Sequence, residues 1–341
     1  MREPAFWWRS PSWMSRLLAP AGLLYGAVSG RRMLGAGKRA AVPVICVGNY
    51  SLGGAGKTPT VIALVKLLQL AGETPVVLSR GYGGRLPGPV RVDPARHAAF
   101  DVGDEPLLLA RSVPVIVSGD RVQGADAARE AGASVIVMDD GFQNPSLGKD
   151  VSLIVIDSNR SIGNGQVFPS GPLRAPLAAQ IDRTDVLVVS GAGSGADDVA
   201  ARVKGKGGLV LKARIVPDPQ AVAGLRGKRV LAFAGIGDPQ RFFATLRASG
   251  IDVAATRTFA DHHRYSTAEV TQMIDDARAD ALTPVTTEKD FVRLQGFVMD
   301  AAMIRPFPIT LVFDDEAGLG DLIGMRLEKA REEIAAAVVP A

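Results

Sequence analysis

VICVGNYSLGGAGKT, residues Val44 to Thr58, passes from a β-branched apolar run into a glycine-rich turn and then into a helix start. Val44 to Val47 has the composition of a buried strand. Beyond Lys57 and Thr58, the segment Pro59 to Leu70 carries Val61, Leu64, Val65 and Leu68 at helical spacing. Strand, glycine loop and helix in that order are the context of a phosphate-binding P-loop. Glycines let backbone N–H groups close on phosphate oxygens, and the helix N-terminus adds partial positive charge. Ser51, Gly53, Gly54, Ala55, Gly56, Lys57 and Thr58 are the expected ATP-binding residues. Lys57 would reach the β- and γ-phosphates and the Thr58 hydroxyl would ligate Mg²⁺. Ser51 stands where the usual pattern has its first glycine, while the GGAGKT core is intact.

The chain of 341 residues implies two domains or one large one, and its 47% hydrophobic content suffices for a full core. The single cysteine, Cys46, lies inside the predicted strand. That excludes a disulfide framework, fits a reducing compartment, and reads as a buried small apolar residue. The net charge of +4 is unevenly spread: from Met1 to Gly72 the only acid is Glu3, against nine lysines and arginines. A basic end of this kind suits a polyanion, either nucleic acid or an anionic membrane surface.

Aromatic placement favours the membrane. All three tryptophans fall at Trp7, Trp8 and Trp13, beside Phe6, and an apolar run from Leu17 to Val28 follows. Tryptophan and arginine together suit a membrane–water interface. The run is 12 residues long and holds Pro20 and Gly22, whereas a spanning helix needs about 20. Residues 1–35 are therefore expected to be an amphipathic segment that lies on or dips into a membrane. A cleaved signal peptide and a helix packed on the protein's own core are the competing readings. No basic–aromatic alternation continues downstream, so no nucleic-acid partner is expected.

Further on, Pro75 to Leu78 reads as a strand leading into Ser79-Arg80-Gly81-Tyr82-Gly83-Gly84. Val102-Gly103-Asp104-Glu105-Pro106 precedes a helical stretch; Glu105 fits the N-cap before Pro106, which leaves the other acid for chemistry. The strand Val113 to Val117 ends at Ser118-Gly119-Asp120-Arg121, and Arg121 suits either a phosphate or a neighbouring acid. Ala133 to Met138 runs straight into Asp139-Asp140-Gly141-Phe142-Gln143. A hydrophobic strand ending in acid downstream of a P-loop is the Walker B arrangement, so Asp139 and Asp140 are the expected Mg²⁺ ligands with Thr58. Strands at Val151 to Ile156 and Val186 to Val189 enclose a loop closing in Gly171-Pro172-Leu173-Arg174. Strands alternating with helices indicate a parallel sheet covered on both faces.

A second, smaller α/β/α unit follows, with strands at Val230 to Ala234, Ile251 to Ala255 and Pro284 to Thr287 and a capping box at Ser266 and Glu269. Two extended segments, Gly208 to Val216 and Ile309 to Phe313, are expected to pair as a two-stranded connector. The expected organisation is an N-terminal segment (1–35), a P-loop NTPase-like α/β/α sandwich (36–207, with 315–341 packing back on it), and the smaller domain with its connector (208–314).

GNYSLGGAGKTPT, LSRGYGG, VGDEP, DDGFQ, SGPLR, FADHH and TTEKD together resemble the tetraacyldisaccharide 4′-kinases of lipid A synthesis, over nearly the whole chain from about Phe6 onward. The resemblance implies transfer of the γ-phosphoryl group of ATP to the 4′-hydroxyl of a tetraacylated glucosamine disaccharide 1-phosphate. It implies a monomer peripheral to the cytoplasmic face of the inner membrane. It also selects His262 over His263 as the histidine facing the site, paired with Asp104 as proton acceptor. Lys57 completes the catalytic set, and Arg174, Arg121 and Arg80 become candidates for phosphate charge. Because Asp104 and His262 lie in different expected domains, a hinge closure is expected to assemble the site. The alternatives are a P-loop kinase or ligase acting on a soluble substrate, and a nucleotide-switched membrane-binding ATPase.

Overall fold

The computed structural model describes residues 3–294 and 303–338. Residues 1–2, 295–302 and 339–341, parts of the expected N-terminal, smaller and C-terminal segments, lie outside the described residues. A nine-stranded sheet contains β1 (Val44–Gly48), β2 (Pro75–Ser79), β3 (Val90–Arg91), β4 (Val115–Val117), β5 (Val135–Asp139), β6 (Val151–Asp157), β7 (Val186–Ser190), β8 (Leu209–Pro217) and β13 (Ile309–Phe313). Its order is β13-β8-β7-β6-β1-β5-β2-β4-β3. The edge pairs β3–β4 and β8–β13 are antiparallel and the rest parallel. A second sheet, all parallel, holds β9 (Arg229–Ala234), β10 (Asp252–Thr258), β11 (Thr283–Thr287) and β12 (Arg305–Phe307) in the order β10-β9-β11-β12.

The large sheet is covered on both faces, which is why its strands read as unbroken apolar runs. Every residue of β1 is buried. Ile45 and Val47 pack with Leu64, Val65 and Leu68 of the helix Lys57–Leu70 on one face. Val44 and Cys46 point to the other face, among Tyr50, Phe142 and Leu173. The C-terminal helix Glu316–Val338 joins the first face through Leu319, Ile323 and Leu327, one residue per turn along a single stripe. Ion pairs Arg331–Glu73 and Arg39–Glu333 hold its far end.

Leu209–Pro217 and Ile309–Phe313 pair with each other, from Ile309 opposite Pro217 to Phe313 opposite Ala213. β8 is also hydrogen-bonded to β7, so this pair forms the edge of the large sheet and carries the chain out to the small sheet and back. Two strands escape sequence reading, β3 and β12, of two and three residues; neither is long enough to show an alternation. In the small unit, Ser266 caps the helix Thr267–Ala279 and Glu269 closes the capping box.

The N-terminal helix Trp13–Met33 is assembled inside out. Its buried residues are Ser15, Gly22, Gly26 and Met33, while Trp13, Leu17, Leu23 and Leu24 are more than two-thirds exposed. Gly22 lies against the Val167 carbonyl and Ser170, and Gly26 and Gly30 against Pro176. The expectation that all three tryptophans face an interface is corrected here. Trp7 is buried and donates its indole N–H to the Pro169 carbonyl, and Trp8 bonds Glu3 beneath the Arg160 guanidinium. Trp7 finds its hydrogen-bond partner on the body and Trp8 meets the body through Arg160; only Trp13 faces outward. A side chain at Gly22 would bring a Cβ within 2.9 Å of the Val167 oxygen and 3.0 Å of Ser170 Cβ. Gly22→Val should therefore lift this helix and speed amide exchange across Trp13–Met33 at least about tenfold, roughly 1.4 kcal/mol of local opening, with β1 unchanged. Unaltered exchange in the helix would refute this packing.

Candidate active site

The C-terminal ends of β1, β2 and β5 meet at one edge of the large sheet, the side on which open α/β sheets bind ligands. The turn after β1 holds Gly53 at φ 104° and Gly56 at φ 90°. Only glycine adopts such angles without strain, and the backbone thereby curls into a cradle. A Cβ built at Gly54 would meet nothing within 4 Å, so that side of the cradle is open. Asn49 braces the turn from inside, its amide donating to the Ser51 and Gly53 carbonyls at 2.7 and 3.2 Å. Its oxygen receives Lys57 Nζ at 3.1 Å. Gly56 caps the helix that starts at Lys57, which places Thr58 in its first turn. Ala55 and Ser51 are buried beside it.

Asp139 ends β5 and Asp140 follows in the left-handed region at φ 51°. A non-glycine residue there stores strain, a recurrent feature of functional turns. Arg174 reaches Asp140 with both terminal nitrogens, at 2.9 and 3.2 Å, and bonds the Ser51 carbonyl through Nε. Lys57 Nζ lies 3.6 Å from the same carboxylate. These two cations hold the Asp140 carboxyl below its usual range against the opposing effect of burial, which is the largest influence on it. Asp139 is the reverse case. Burial first, then the neighbouring Asp140 charge, push its carboxyl up to about 6. Arg121 lies behind it, 2% exposed, donating to the Asp139 main-chain oxygen at 3.3 Å and leaving Nη1 without a partner. Arg80 is exposed on the turn after β2.

The second sheet faces this edge with its own strand ends. His262, in the turn after β10 at φ 56°, bonds Asp104 Oδ2 through Nδ1 at 2.8 Å. That bond, ahead of the desolvation that opposes it, raises the imidazole pKa. His263 turns away, bonding Glu269 and stacking on Phe259. Of the two histidines, His262 is therefore the one bonded to Asp104. Glu105 is not the N-cap expected from Pro106. The helix is Asp104–Leu109, capped by Gly103 at φ 95°, because the carboxylate of Glu105 is drawn across the cleft to Lys289 at 2.9 Å. Although burial acts the other way, Lys289 holds the Glu105 carboxyl down at about 2.

Asn49, Lys289 and Arg293 are the residues that sequence reading passed over. Lys289 lay inside the TTEKD motif without a role, and Asn49 beside the P-loop. Arg293 carried no signal, since an arginine in the last turn of the helix Glu288–Leu294 looks like any other.

The oxygen set of Thr58, Asp139 and Asp140 suits a hard cation that keeps most of its ligands as water and phosphate oxygens. Two adjacent carboxylates, one of them reluctant to ionise, are the arrangement such a cation relieves. Among the described residues there is no group of three or more His, Cys, Asp or Glu that could hold a metal.

A family model described as tetraacyldisaccharide-1-P 4′-kinase matches residues 14–328. The chain is 61% identical over 334 residues to a tetraacyldisaccharide 4′-kinase of Nitrobacter winogradskyi, covering 97% of this chain and 99% of that one. It is 62% identical over 332 residues to another from Bradyrhizobium diazoefficiens, covering 97% and 98%. It also superposes on the crystal structure of an LpxK from Aquifex aeolicus in complex with ATP, with a TM-score of 0.73, 28% identity, and coverage of 92% of this chain and 99% of that one.

The raised Asp139 pKa makes a stability prediction for the metal-free protein. A carboxyl whose folded pKa lies above its unfolded value of about 3.8 stabilises the fold at low pH and loses that contribution as pH rises through about 6. Asp139→Asn should therefore gain roughly 2–3 kcal/mol above pH 6, with no gain below pH 4, in chemical denaturation across pH. A gain independent of pH would exclude ionisation as its cause.

Proposed function

The chain belongs to the tetraacyldisaccharide 4′-kinase family, and on that premise we propose how its residues divide the work of the transfer. It is an ATP-dependent kinase whose reaction places the γ-phosphoryl group on the 4′-hydroxyl of a tetraacylated disaccharide 1-phosphate in lipid A biosynthesis. Such a transfer passes through a loose transition state, so the protein supplies position and charge more than covalent chemistry. The observation that carries the reading is the bond between Asp104 of the large unit and His262 of the smaller one, together with a P-loop and its paired acids.

The P-loop amides and Lys57 would hold the phosphates, and Arg174 would share the charge that develops on the transferred group. Thr58, Asp139 and Asp140 would hold Mg²⁺, which when bound neutralises phosphate charge. In the structure Asp140 occupies both Lys57 and Arg174; a polyphosphate competes for the same cations and leaves Asp140 free for the metal. Asp104 would accept the proton of the attacking hydroxyl, with His262 fixing its orientation. Asp104→Ala should lower transfer of label from γ-labelled ATP into the lipid fraction by about 10²–10⁴-fold, the usual worth of a positioned base. Equal transfer by the variant would discard this assignment while keeping the kinase.

The exposed side chains of Trp13, Leu17, Leu23 and Leu24 form an apolar surface flanked by Arg16, Arg31 and Arg32. No helix among the described residues is long and apolar enough to cross a membrane. We infer that this helix lies in the interface of the inner membrane, on its cytoplasmic side, where its apolar surface and basic flanks would both be satisfied, and brings a single copy of the chain to its acylated substrate. A Leu17→Glu, Leu24→Glu variant should stay in the supernatant with anionic vesicles that pellet the parent, at unchanged ATP affinity. Undiminished pelleting would place the membrane contact elsewhere.

A further inference from the structure

Among the described residues, Arg293 is the arginine that joins His262 on the carboxylate proposed as the base. Its side chain is 5% exposed, so it is not a solvated surface charge. Nε donates to Asp104 Oδ2 at 2.6 Å, the same oxygen that His262 Nδ1 meets at 2.8 Å. Nη1 is fixed behind, on Asp290 Oδ1 at 2.8 Å and the Gly235 carbonyl at 3.0 Å. Asp290 is itself held by the Tyr265 hydroxyl, the Thr287 hydroxyl and the Gly235 amide. The guanidinium thus stands in a rigid frame of the smaller unit and presents one N–H to Asp104. Oδ1 of Asp104 has no protein hydrogen bond among the described residues, while the side chain keeps 11% of its surface open.

We propose that Arg293 is a positioning residue for the phosphoryl transfer: together with His262 it saturates Oδ2 of Asp104, so that Oδ1 alone is left to receive the acceptor hydroxyl. This rests on the reading of Asp104 as proton acceptor. In a loose transition state the nucleophile loses its proton late, so the direction of the accepting lone pair matters more than its basicity. A lysine cannot replace the fork, because a single ammonium on the flexible lysine stem does not hold the planar geometry that spans Asp104, Asp290 and Gly235 together. The other groups facing this carboxylate and its histidine are Glu105 on the same helix, Lys289 paired with it, Asp261 at 4.0 Å from His262 Nε2, and Asp290 behind Arg293.

The test assays Arg293→Gln and Arg293→Lys, each alone and combined with Asp104→Asn, using ATP, Mg²⁺ and the acylated disaccharide 1-phosphate in mixed micelles between pH 5.5 and 9. Arg293→Gln should lower kcat at least about tenfold while leaving KM for ATP within about twofold. Arg293→Lys should lose kcat as well, with KM for ATP likewise unchanged. In the Asp104→Asn background Arg293→Gln should cost less than about threefold further, since both changes act on one group. An equal, additive loss of kcat in both backgrounds would overturn the proposal and leave a structural role. Should Arg293→Gln fail to fold, Arg293→Lys decides, and parental kcat in that variant overturns it. Parental kcat in Asp104→Asn alone would remove the base assignment, and the proposal with it.

Discussion

A parallel sheet buried on both faces can meet water only at its strand ends. In this chain β1 is buried along its whole length, between the Lys57–Leu70 and Glu316–Val338 helices on one side and the Tyr50, Phe142 and Leu173 layer on the other. Polar side chains that must touch a ligand therefore have one place to go, the turns after the strands. Asn49, Arg80, Asp139 and Asp140 all occupy such turns or the last strand residue, and His262 does the same in the smaller sheet. Packing the core and siting the chemistry are thus one problem with one solution.

Charge balance is the second constraint. The site concentrates Lys57, Arg174, Lys289 and Arg293 against Asp139, Asp140, Glu105 and Asp104 within a partly buried cleft. An unpaired charge there would be costly, so the cations and anions neutralise one another. Asp139 is the exception, pushed toward its neutral form by burial and by Asp140. The same exception leaves the place where a divalent cation gains most. Pairs such as Glu105–Lys289 and Asp104–Arg293 also cross between the two sheets, as Arg241–Asp157 does away from the site, so charges that complete the site help to hold the sheets together.

The N-terminal helix shows the same economy in reverse. Its small residues face the protein because Gly22, Gly26 and Gly30 let the backbone approach Val167, Ser170 and Pro176. The bulky apolar residues are left outside, on a surface that water does not favour. Burying the large residues would have given a more stable helix, and the opposite choice points to a function for the exposed face. Trp7, through the Pro169 carbonyl, and Trp8, beneath Arg160, fix the turn before it to the body.

Much of this could be read from the sequence because the determining signals are local. A strand, a glycine turn and a helix start fit within Val44 to Leu70. The acids of DDGFQ follow their strand directly, and Ser266 and Glu269 cap their helix three residues apart. Those elements formed within a residue or two of their expected bounds, and the spacing of strands and helices fixed the doubly covered sheet. The tertiary structure alone decided which side chains meet across the cleft. Asp104 and His262 are separated by 158 residues, and Asp104 and Arg293 by 189. No periodicity links such positions; they converge only because both sheets present their C-terminal strand ends to one another. The fate of Trp7 and Trp8 was decided in the same way, since an indole beside an arginine suits a membrane interface and a protein surface equally well until a partner carbonyl or carboxylate is placed within reach.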